Sequence, residues 1–290
     1  MATVKLGVVT IDVEPDHAGW LKYSFKGVEE GLSILLEFFE DIGLKATFFV
    51  TYDVAEKFPR QIRKIWDFGN ELAVHGIHRN LKVANSAPTL SDVERDGQKT
   101  RDKLSSISGE DVYGYRAAYS MMNPRHLLIL EKLGFLYDSS ITPSFRPKRY
   151  NYLSAPREPY FPSKDDLCKR GSMRILEIPT STISFLRVPM ALSYMGVLGF
   201  NFFKFILSNF GTQFPLIFCL HPFEIVNCIN DGLPWRVRHI YFRNSGQKAF
   251  SSLRKFIELL GAHQVTFVTM KELSDMYTNK QSDSGGNKSG

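Results

Sequence analysis

Apolar and polar positions along the chain follow two periods, one typical of strands and one of helices, which replace each other repeatedly. Runs such as 5–12 (KLGVVTID) and 45–53 (KATFFVTYD) are apolar and β-branched, as in buried strands. Between them, 27–43 has apolar residues at helical spacing and ends on a glycine. Further strands are predicted at 71–76, 112–119, 135–140, 173–179, 215–222 and 265–270, and further helices at 54–67, 88–107, 124–133 and 246–261. This order predicts a (β/α) barrel or an open parallel sheet.

Two local signals refine this pattern. Ser91, followed three residues later by Glu94, predicts a capping box at the start of the helix 88–107. The segment 279–290 is polar and of low complexity, so we expect a disordered tail after a single domain over 1–278.

Composition and charge narrow the function classes. The formal net charge of +6 suits an acidic, phosphate-bearing or membrane partner, but no dense stripe of Lys and Arg indicates nucleic acid. The three cysteines show no CxxC pairing, which favours a reducing compartment. The start, MATVKLGVVTID, lacks the apolar core of a signal peptide. We therefore expect a cytoplasmic protein, free or peripheral to the membrane; the sequence carries no indication of its oligomeric state.

Chemically versatile side chains follow the apolar runs at several strand ends. The carboxyl ends of parallel strands open onto one face, where α/β proteins carry their chemistry. Any one of these side chains alone could cap a helix or hydrogen-bond within the core. Together they favour one functional site. The segments are TIDVEPDH, HGIH, YRAAY, YDSS and LHP.

These segments, in this order, resemble the motifs of the polysaccharide deacetylase family, also called the NodB-homology domain or carbohydrate esterase family 4. The resemblance runs from about residue 5 to residue 275 and implies a distorted (β/α) barrel of about seven strands. The matching segments are 10–14 (TIDVE), 75–78 (HGIH), 116–119 (RAAY), 138–140 (DSS) and 220–222 (LHP).

The resemblance implies a hydrolase that removes an N-acyl group, acetyl or formyl, from an aminosugar. A divalent metal ion, with zinc in first place and cobalt or another transition metal as alternatives, would be held by Glu14, His75 and His78. Asp12 would be the general base, kept ionised and oriented by Arg116. Alternation along the strand supports this division, since Asp12 and Glu14 point to the same side.

The remaining motifs supply the other roles that amide hydrolysis needs. By the same resemblance, His221 would protonate the departing amine, with Asp138 tuning or orienting its ring. The main-chain N–H of Tyr119 would help to bind the oxyanion. Ser139 is the second expected substrate contact.

The chain departs from the usual family pattern in both metal-binding motifs. Val13 stands where most members have the metal-binding Asp, so the carboxylate one residue later, Glu14, takes this role, as in a minority of members. Arg79 stands where the second histidine usually lies, so His78 must reach the metal from i+3. Elsewhere, Ala118 replaces a proline and Ile141 a tryptophan.

These departures leave two alternatives open beside the metal-dependent hydrolase. One is a metal-independent amidase of the same fold, in which His75 and His78 are structural or contact the substrate. The other is a catalytically silent barrel that binds glycans. A base, its orienting arginine and an acid, retained together, weigh against the silent barrel.

The substrate follows from the family and the expected location. Without an export signal, we expect a cytoplasmic N-acylated aminosugar, nucleotide- or lipid-linked, or a small amide. The segment 188–207 is rich in Met, Phe and Leu, and is read either as a buried helix covering the barrel or as an interfacial segment that contacts a membrane or a lipid-linked substrate. Its glycines, with Asn201 and Lys204, make it a poor transmembrane span.

Overall fold

A computed structural model of the chain describes residues 4–16, 24–76, 88–145, 151–210, 215–228, 235–240 and 242–285. Its strands are β1 (Lys5–Val13), β2 (Thr47–Val50), β3 (Glu71–His75), β4 (Gly114–Arg116), β5 (Tyr137–Asp138), β6 (Leu176–Glu177), β7 (Leu216–Leu220) and β8 (Val265–Phe267). Its α-helices are α1 (Leu32–Asp41), α2 (Tyr52–Lys57), α3 (Pro59–Asp67), α4 (Leu90–Ser108), α5 (Pro124–Lys132), α6 (Leu192–Leu198), α7 (Phe200–Phe210), α8 (Trp235–Ile240), α9 (Gln247–Ala262) and α10 (Met270–Gly285). A π-helical segment, Gly27–Gly31, leads into α1, and short 3₁₀ turns lie at Ala118–Ser120 and Pro222–Ile225.

All the strands belong to one parallel sheet. Its order is β6-β5-β4-β3-β2-β1-β7, and β8 pairs with the start of β1. Between β6 and β7, the segment 181–191 takes the place of a strand: Cys219 N donates to Met190 O at 3.1 Å, and Ser181 N donates to Ile217 O at 3.1 Å. The sheet therefore curls into the distorted barrel that the family resemblance implies.

Alternation along the strands divides the buried side chains into two layers. Val9, Ile11 and Val13 of β1 face the helices and belong to the larger apolar cluster. Val8 faces the barrel interior, in a smaller cluster with Phe49 and other strand residues. Along this inner face β1 continues with Thr10, Asp12 and then Glu14, so the interior changes from apolar to polar towards the carboxyl ends of the strands.

Two glycines bring the first helix against the segment that follows β7. A Cβ on Gly31 would lie 2.3 Å from Pro222 O, and one on Gly27 would lie 2.6 Å from Phe223 N. Only glycine permits this approach at either position. Asp16 fixes the same helix start, because its Oδ1 accepts a hydrogen bond from Gly27 N at 3.0 Å. The backbone next to His221 is thus held by close packing.

One predicted helix start is wrong. Helix α4 is capped by Thr89, whose Oγ1 accepts from Asp92 N at 3.2 Å, and not by Ser91 and Glu94. This earlier start places Val93 in the core. Helix α10 ends at Gly285 and so includes the first part of the segment 279–290, whose disorder stays a prediction. Residues 286–290 lie outside the described part of the chain.

The segment 188–207 holds parts of two helices. Helices α6 and α7 meet at Gly199, which has a φ of 86°. Both helices bury part of their surface, through Leu192 and Met195 in α6 and through Phe203, Ile206 and Leu207 in α7. Neither these nor the other described helices have the length and apolarity needed to cross a bilayer.

Candidate active site

The centre of the candidate site is a buried ion pair between two strands. Arg116, the last residue of β4, donates from Nη1 to Asp12 Oδ1 at 2.6 Å and to Thr10 Oγ1 at 2.9 Å. Its Nε donates to Ser139 O and its Nη2 to Ser139 Oγ, both at 3.0 Å. The guanidinium lies 4.1 Å from the centre of the Phe49 ring. The arginine is thereby fixed on every side and holds one carboxylate oxygen of Asp12.

The surroundings of Asp12 keep it ionised. Burial acts to raise the pKa of Asp12, but the charge of Arg116, helped by His75 and His221, holds the pKa below its ordinary value. Its second oxygen, Oδ2, accepts from Cys219 Sγ at 3.6 Å and lies 3.9 Å from His221 Nε2. Asp12 is therefore a carboxylate with one oxygen fixed and the other directed into the site.

Glu14 and His75 meet beside this pair. His75 Nε2 lies 3.1 Å from Glu14 Oε2, and His75 Nδ1 lies 3.0 Å from Arg116 O. Because a carbonyl oxygen can only accept, Nδ1 carries a hydrogen, and Nε2 either donates to Glu14 or presents its lone pair. Burial acts to lower the pKa of His75, but Asp12 and Glu14 outweigh it, and the pKa is raised.

These two side chains fit one edge of a metal site. Their donor atoms are separated about as far as two ligands that share one ion at bond lengths of about 2.0–2.1 Å. The Nδ1–H to carbonyl bond is the outer contact that metal-binding histidines usually make. Within the described part of the chain no group of three His, Cys, Asp or Glu side chains forms a metal site. The third predicted ligand, His78, lies outside that part.

His221 faces the same carboxylates from the opposite side of the site. It follows β7 directly, and its Nε2 lies 3.5 Å from Glu14 Oε1. Its Nδ1 lies 3.6 Å from Glu224 Oε2, and that oxygen accepts from the His221 main-chain N at 2.7 Å. Burial acts to lower the pKa of His221, but Glu224, Glu14 and Asp12 outweigh it and raise the pKa to about 9. His221 is thus charged at neutral pH and has a proton to give.

Asp138, at the end of β5, makes a different set of contacts. Its Oδ1 accepts from Ser140 Oγ at 2.7 Å, and Ser140 Oγ accepts from Ala117 N at 2.8 Å. Asp138 and Glu177 lie side by side on β5 and β6, both buried. Burial raises the pKa of each carboxyl, and the charge of Asp138 raises the pKa of Glu177 further. The contacts found for Asp138 therefore support the loop that leads from Ala117 towards Tyr119.

The site opens into a pocket of about 270 Å³. Asp12, Glu14, His75, Arg116, Tyr119, Ser139 and His221, all predicted from the sequence, line it. Tyr119 and Ser120 both have a φ of 57° in the left-handed region, a costly conformation for two consecutive non-glycine residues. This turn lies at the pocket wall, while Ser193 and Tyr194 of α6 line another part of it.

Some residues of the site were not predicted from the sequence. Glu224 contacts His221 twice, and its signal was the His-x-x-Glu spacing of HPFE, which also fits a capping box. Thr10 belongs to the first motif and bonds Arg116. Glu177 ends a short apolar run. Nothing in the sequence indicates that it pairs with Asp138.

Comparisons with known sequences agree with this geometry. Residues 10–137 match a family model described as polysaccharide deacetylase. A peptidoglycan deacetylase of Helicobacter pylori is 30% identical over 113 residues, which is 39% of this chain and 38% of that protein. The chain spans only about a third of the length of the curated relatives that it matches, 33% and 38%.

Solved structures show the same fold over almost the whole chain. A candidate polysaccharide deacetylase of Mycobacterium smegmatis aligns with a TM-score of 0.62 at 20% identity, over 97% of this chain and 93% of that one. A carbohydrate esterase family 4 pseudoenzyme of Bacillus anthracis aligns with a TM-score of 0.56 at 13% identity, over 94% and 66%. The motifs, the sequence match over 10–137 and the barrel agree: the chain is similar to the polysaccharide deacetylase family over this part of its sequence, and it shares the fold of these solved structures over almost its whole length.

Proposed function

We propose that the protein is a hydrolase that removes an N-acyl group, acetyl or formyl, from an aminosugar. The observation that carries the proposal is that an ionised carboxylate and a protonated histidine face each other in one pocket. Asp12 is ionised beside Arg116, and His221 is protonated beside Glu224, with Asp12 Oδ2 and His221 Nε2 3.9 Å apart. A base and an acid that are both in their working form at neutral pH are what hydrolysis of an amide requires.

Each residue then has a role that follows from its contacts. Asp12 accepts the proton of the attacking water through Oδ2, since Arg116 holds Oδ1. His221 gives its proton to the departing amine, and Glu224 orients its ring. The main-chain N–H of Tyr119, in the left-handed turn, helps to bind the oxyanion, and Ser139 contacts the substrate. The role of Asp138 as a partner of His221 stays a prediction, beside its observed contacts to Ser140 and Glu177.

Glu14 and His75, with His78, would hold a divalent metal ion, for which their oxygen and nitrogen donors fit zinc best. When bound, such an ion polarises the acyl carbonyl and lowers the pKa of a coordinated water. The substrate would be a nucleotide- or lipid-linked aminosugar. The cytoplasmic location stays a prediction.

A metal-independent amidase is the second candidate. The observation that favours it is the position of His75, which fits an imidazolium that donates to Arg116 O and to Glu14. In that case His75 would hold Glu14 in place and contact the substrate, while Asp12 and His221 would keep their roles.

The test is acetate release from N-acetylated chitooligosaccharides, measured with the metal content of the same purified protein. We expect activity that is lost in Asp12→Asn by roughly 10²- to 10⁴-fold, with the metal content unchanged. Treatment with a strong chelator and addition of zinc or cobalt separate the two candidates. Activity lost and then restored supports the metal enzyme, and activity unaffected by the chelator supports the metal-independent one. Absence of turnover both on chitooligosaccharides and on nucleotide-linked N-acetyl- and N-formyl-aminosugars would overturn both and favour a silent glycan-binding barrel.

A further inference from the structure

An exposed apolar patch lies beside the entrance to the pocket. The patch consists of Phe185 and Leu186 in a turn, and Phe205 and Phe210 on α7. The three phenylalanine residues are 56%, 56% and 59% exposed, although phenylalanine is usually buried. Phe210 contacts both of the others, with ring centroids 5.2 Å from Phe185 and 5.9 Å from Phe205. These are three large apolar rings in contact with each other and with solvent, an arrangement that marks an interaction site.

The patch is held rigidly by the fold. Phe185 and Leu186 form the tip of a tight turn in which Ile183 N donates to Val188 O at 2.8 Å and Arg187 N donates to Ile183 O at 2.9 Å. Helix α7 buries Phe203, Ile206 and Leu207 on its inner face. The exposed rings of α7 therefore play no part in packing the helix onto the core.

The patch adjoins the pocket through both of its elements. The turn that carries Phe185 ends at Pro189, which lines the pocket. Helix α6, which precedes α7, places Ser193 and Tyr194 in the pocket wall and ends in the exposed residues Val197 and Leu198. A surface that covers the patch would therefore lie next to the pocket entrance.

The charged side chains nearest to the patch along the sequence are positive. The sequence contains no Asp or Glu between Glu177 and Glu224, but within that stretch it contains Arg187 and Lys204. Lys204 is exposed and directly precedes Phe205. Arg157 adds a third positive charge, since its Nη2 donates to Ser184 Oγ at 3.1 Å. The neighbouring acid, Glu158, lies 3.7 Å from Arg170.

We propose that this patch inserts into the surface of a membrane that contains anionic lipids. Aromatic rings with Lys and Arg beside them are the side chains that bind such an interface. The observations favour a membrane over a second protein, because a stable protein interface takes about 20–30 residues from each side and the patch offers a few protruding rings. Given the proposed function, the pocket would then open at the bilayer surface, where the aminosugar of a lipid-linked substrate lies.

The test is flotation of the full chain with vesicles of phosphatidylcholine, alone or mixed with phosphatidylglycerol. We expect the wild type to float with the mixed vesicles and less with phosphatidylcholine alone. The double variant Phe205→Ser/Phe210→Ser should lower the partition constant by at least about tenfold, because two rings no longer enter the apolar layer. Lys204→Glu should weaken binding to the mixed vesicles only. Ile42→Ser, which changes a residue 46% exposed after α1, is the matched control and should bind as wild type.

Three results would overturn the proposal: a wild type that floats with neither vesicle, a double variant that floats as the wild type does, and concentration-dependent self-association that the double variant removes without any vesicle binding. The charge variant decides the matter if the double variant does not fold. Flotation does not depend on hydrolysis, so its failure leaves the proposed function standing. Equally, loss of the deacetylase proposal leaves membrane binding in place. On a soluble chitooligosaccharide the double variant should keep wild-type activity.

Discussion

Replacement of Arg116 by lysine keeps the positive charge in the site but removes the planar group that distributes it. The guanidinium donates in three directions, to Asp12, to Thr10 and twice to Ser139. A lysine ammonium, at the end of a thinner chain, can still reach Asp12 and Thr10. It cannot at the same time reach Ser139, so the carbonyl and the hydroxyl of Ser139 each lose a charged donor in a buried position.

The cost follows from these two contacts. A hydrogen bond to a charged group contributes about 1.5–3 kcal/mol, and a lost one in the interior is only partly replaced. We therefore expect Arg116→Lys to lower the free energy of unfolding by about 2–4 kcal/mol. A domain of ordinary stability, about 5–15 kcal/mol, would survive this loss and remain measurable. Turnover should also fall, with little change in KM, because Asp12 is no longer held in one orientation.

The assay is urea unfolding of the wild type, Arg116→Lys and a matched control, Arg63→Lys. Arg63 forms an ion pair of nearly the same length, 2.7 Å to Asp67 Oδ1, but both partners are about half exposed. The control should change stability by less than about 0.5 kcal/mol, since exposed pairs contribute little. If Arg116→Lys were as small in its effect as the control, the inferred importance of the fourfold-bonded guanidinium would be refuted.

Four further substitutions test other parts of the site and its surroundings. Glu14→Ala should lower the metal content, whereas Asp16→Ala, which loses the bonds to Ser24 and Gly27, should lower stability and keep the metal; elemental analysis with thermal unfolding separates them. Glu177→Gln should raise stability at neutral pH. Because the pKa of Glu177 is raised in the folded state, the free energy of unfolding of the wild type falls as pH rises from the ordinary value of 4.5 through the folded pKa. Urea unfolding across this pH range should show that fall in the wild type and not in the variant. Gly76→Ala should destabilise by about 1–3 kcal/mol in urea unfolding, since its Cβ would lie 2.3 Å from the Tyr115 hydroxyl.

The two-residue period of the strands accounts for most of what could be predicted from the sequence. In β1, alternation alone places Asp12 and Glu14 on one side and Val13 on the other, and the structure has this arrangement. The parallel sheet then brings the ends of β3, β4 and β7 to the same edge, so His75, Arg116 and His221 meet Asp12. The alternation is a local pattern, but it predicts contacts between distant residues, because the carboxyl ends of all strands in a parallel sheet lie at one edge.

Contacts between side chains on different loops could not be predicted in this way. The pairing of Asp138 with Glu177 depends on β6 lying beside β5, and the sequence between them contains no sign of that register. Glu224 reaches His221 because a 3₁₀ turn follows β7. The same residues are equally compatible with an irregular loop, so the contact could not be predicted. The family resemblance named Asp138 as the partner of His221, and the carboxylates found beside that ring are Glu224, Glu14 and Asp12.

The position of β1 has a consequence for how this protein reaches its native state. β1 pairs with β2, which follows soon after it, but also with β7 and with β8, whose register joins Lys5 to Val265. Such pairings between distant parts of the chain impose a large loop-closure entropy and slow folding. During synthesis, the strand that carries Asp12 keeps an open hydrogen-bonding edge until nearly the whole sequence is available. That edge is a template for pairing with other chains, so the nascent protein should depend on chaperones for longer than a fold closed by local contacts.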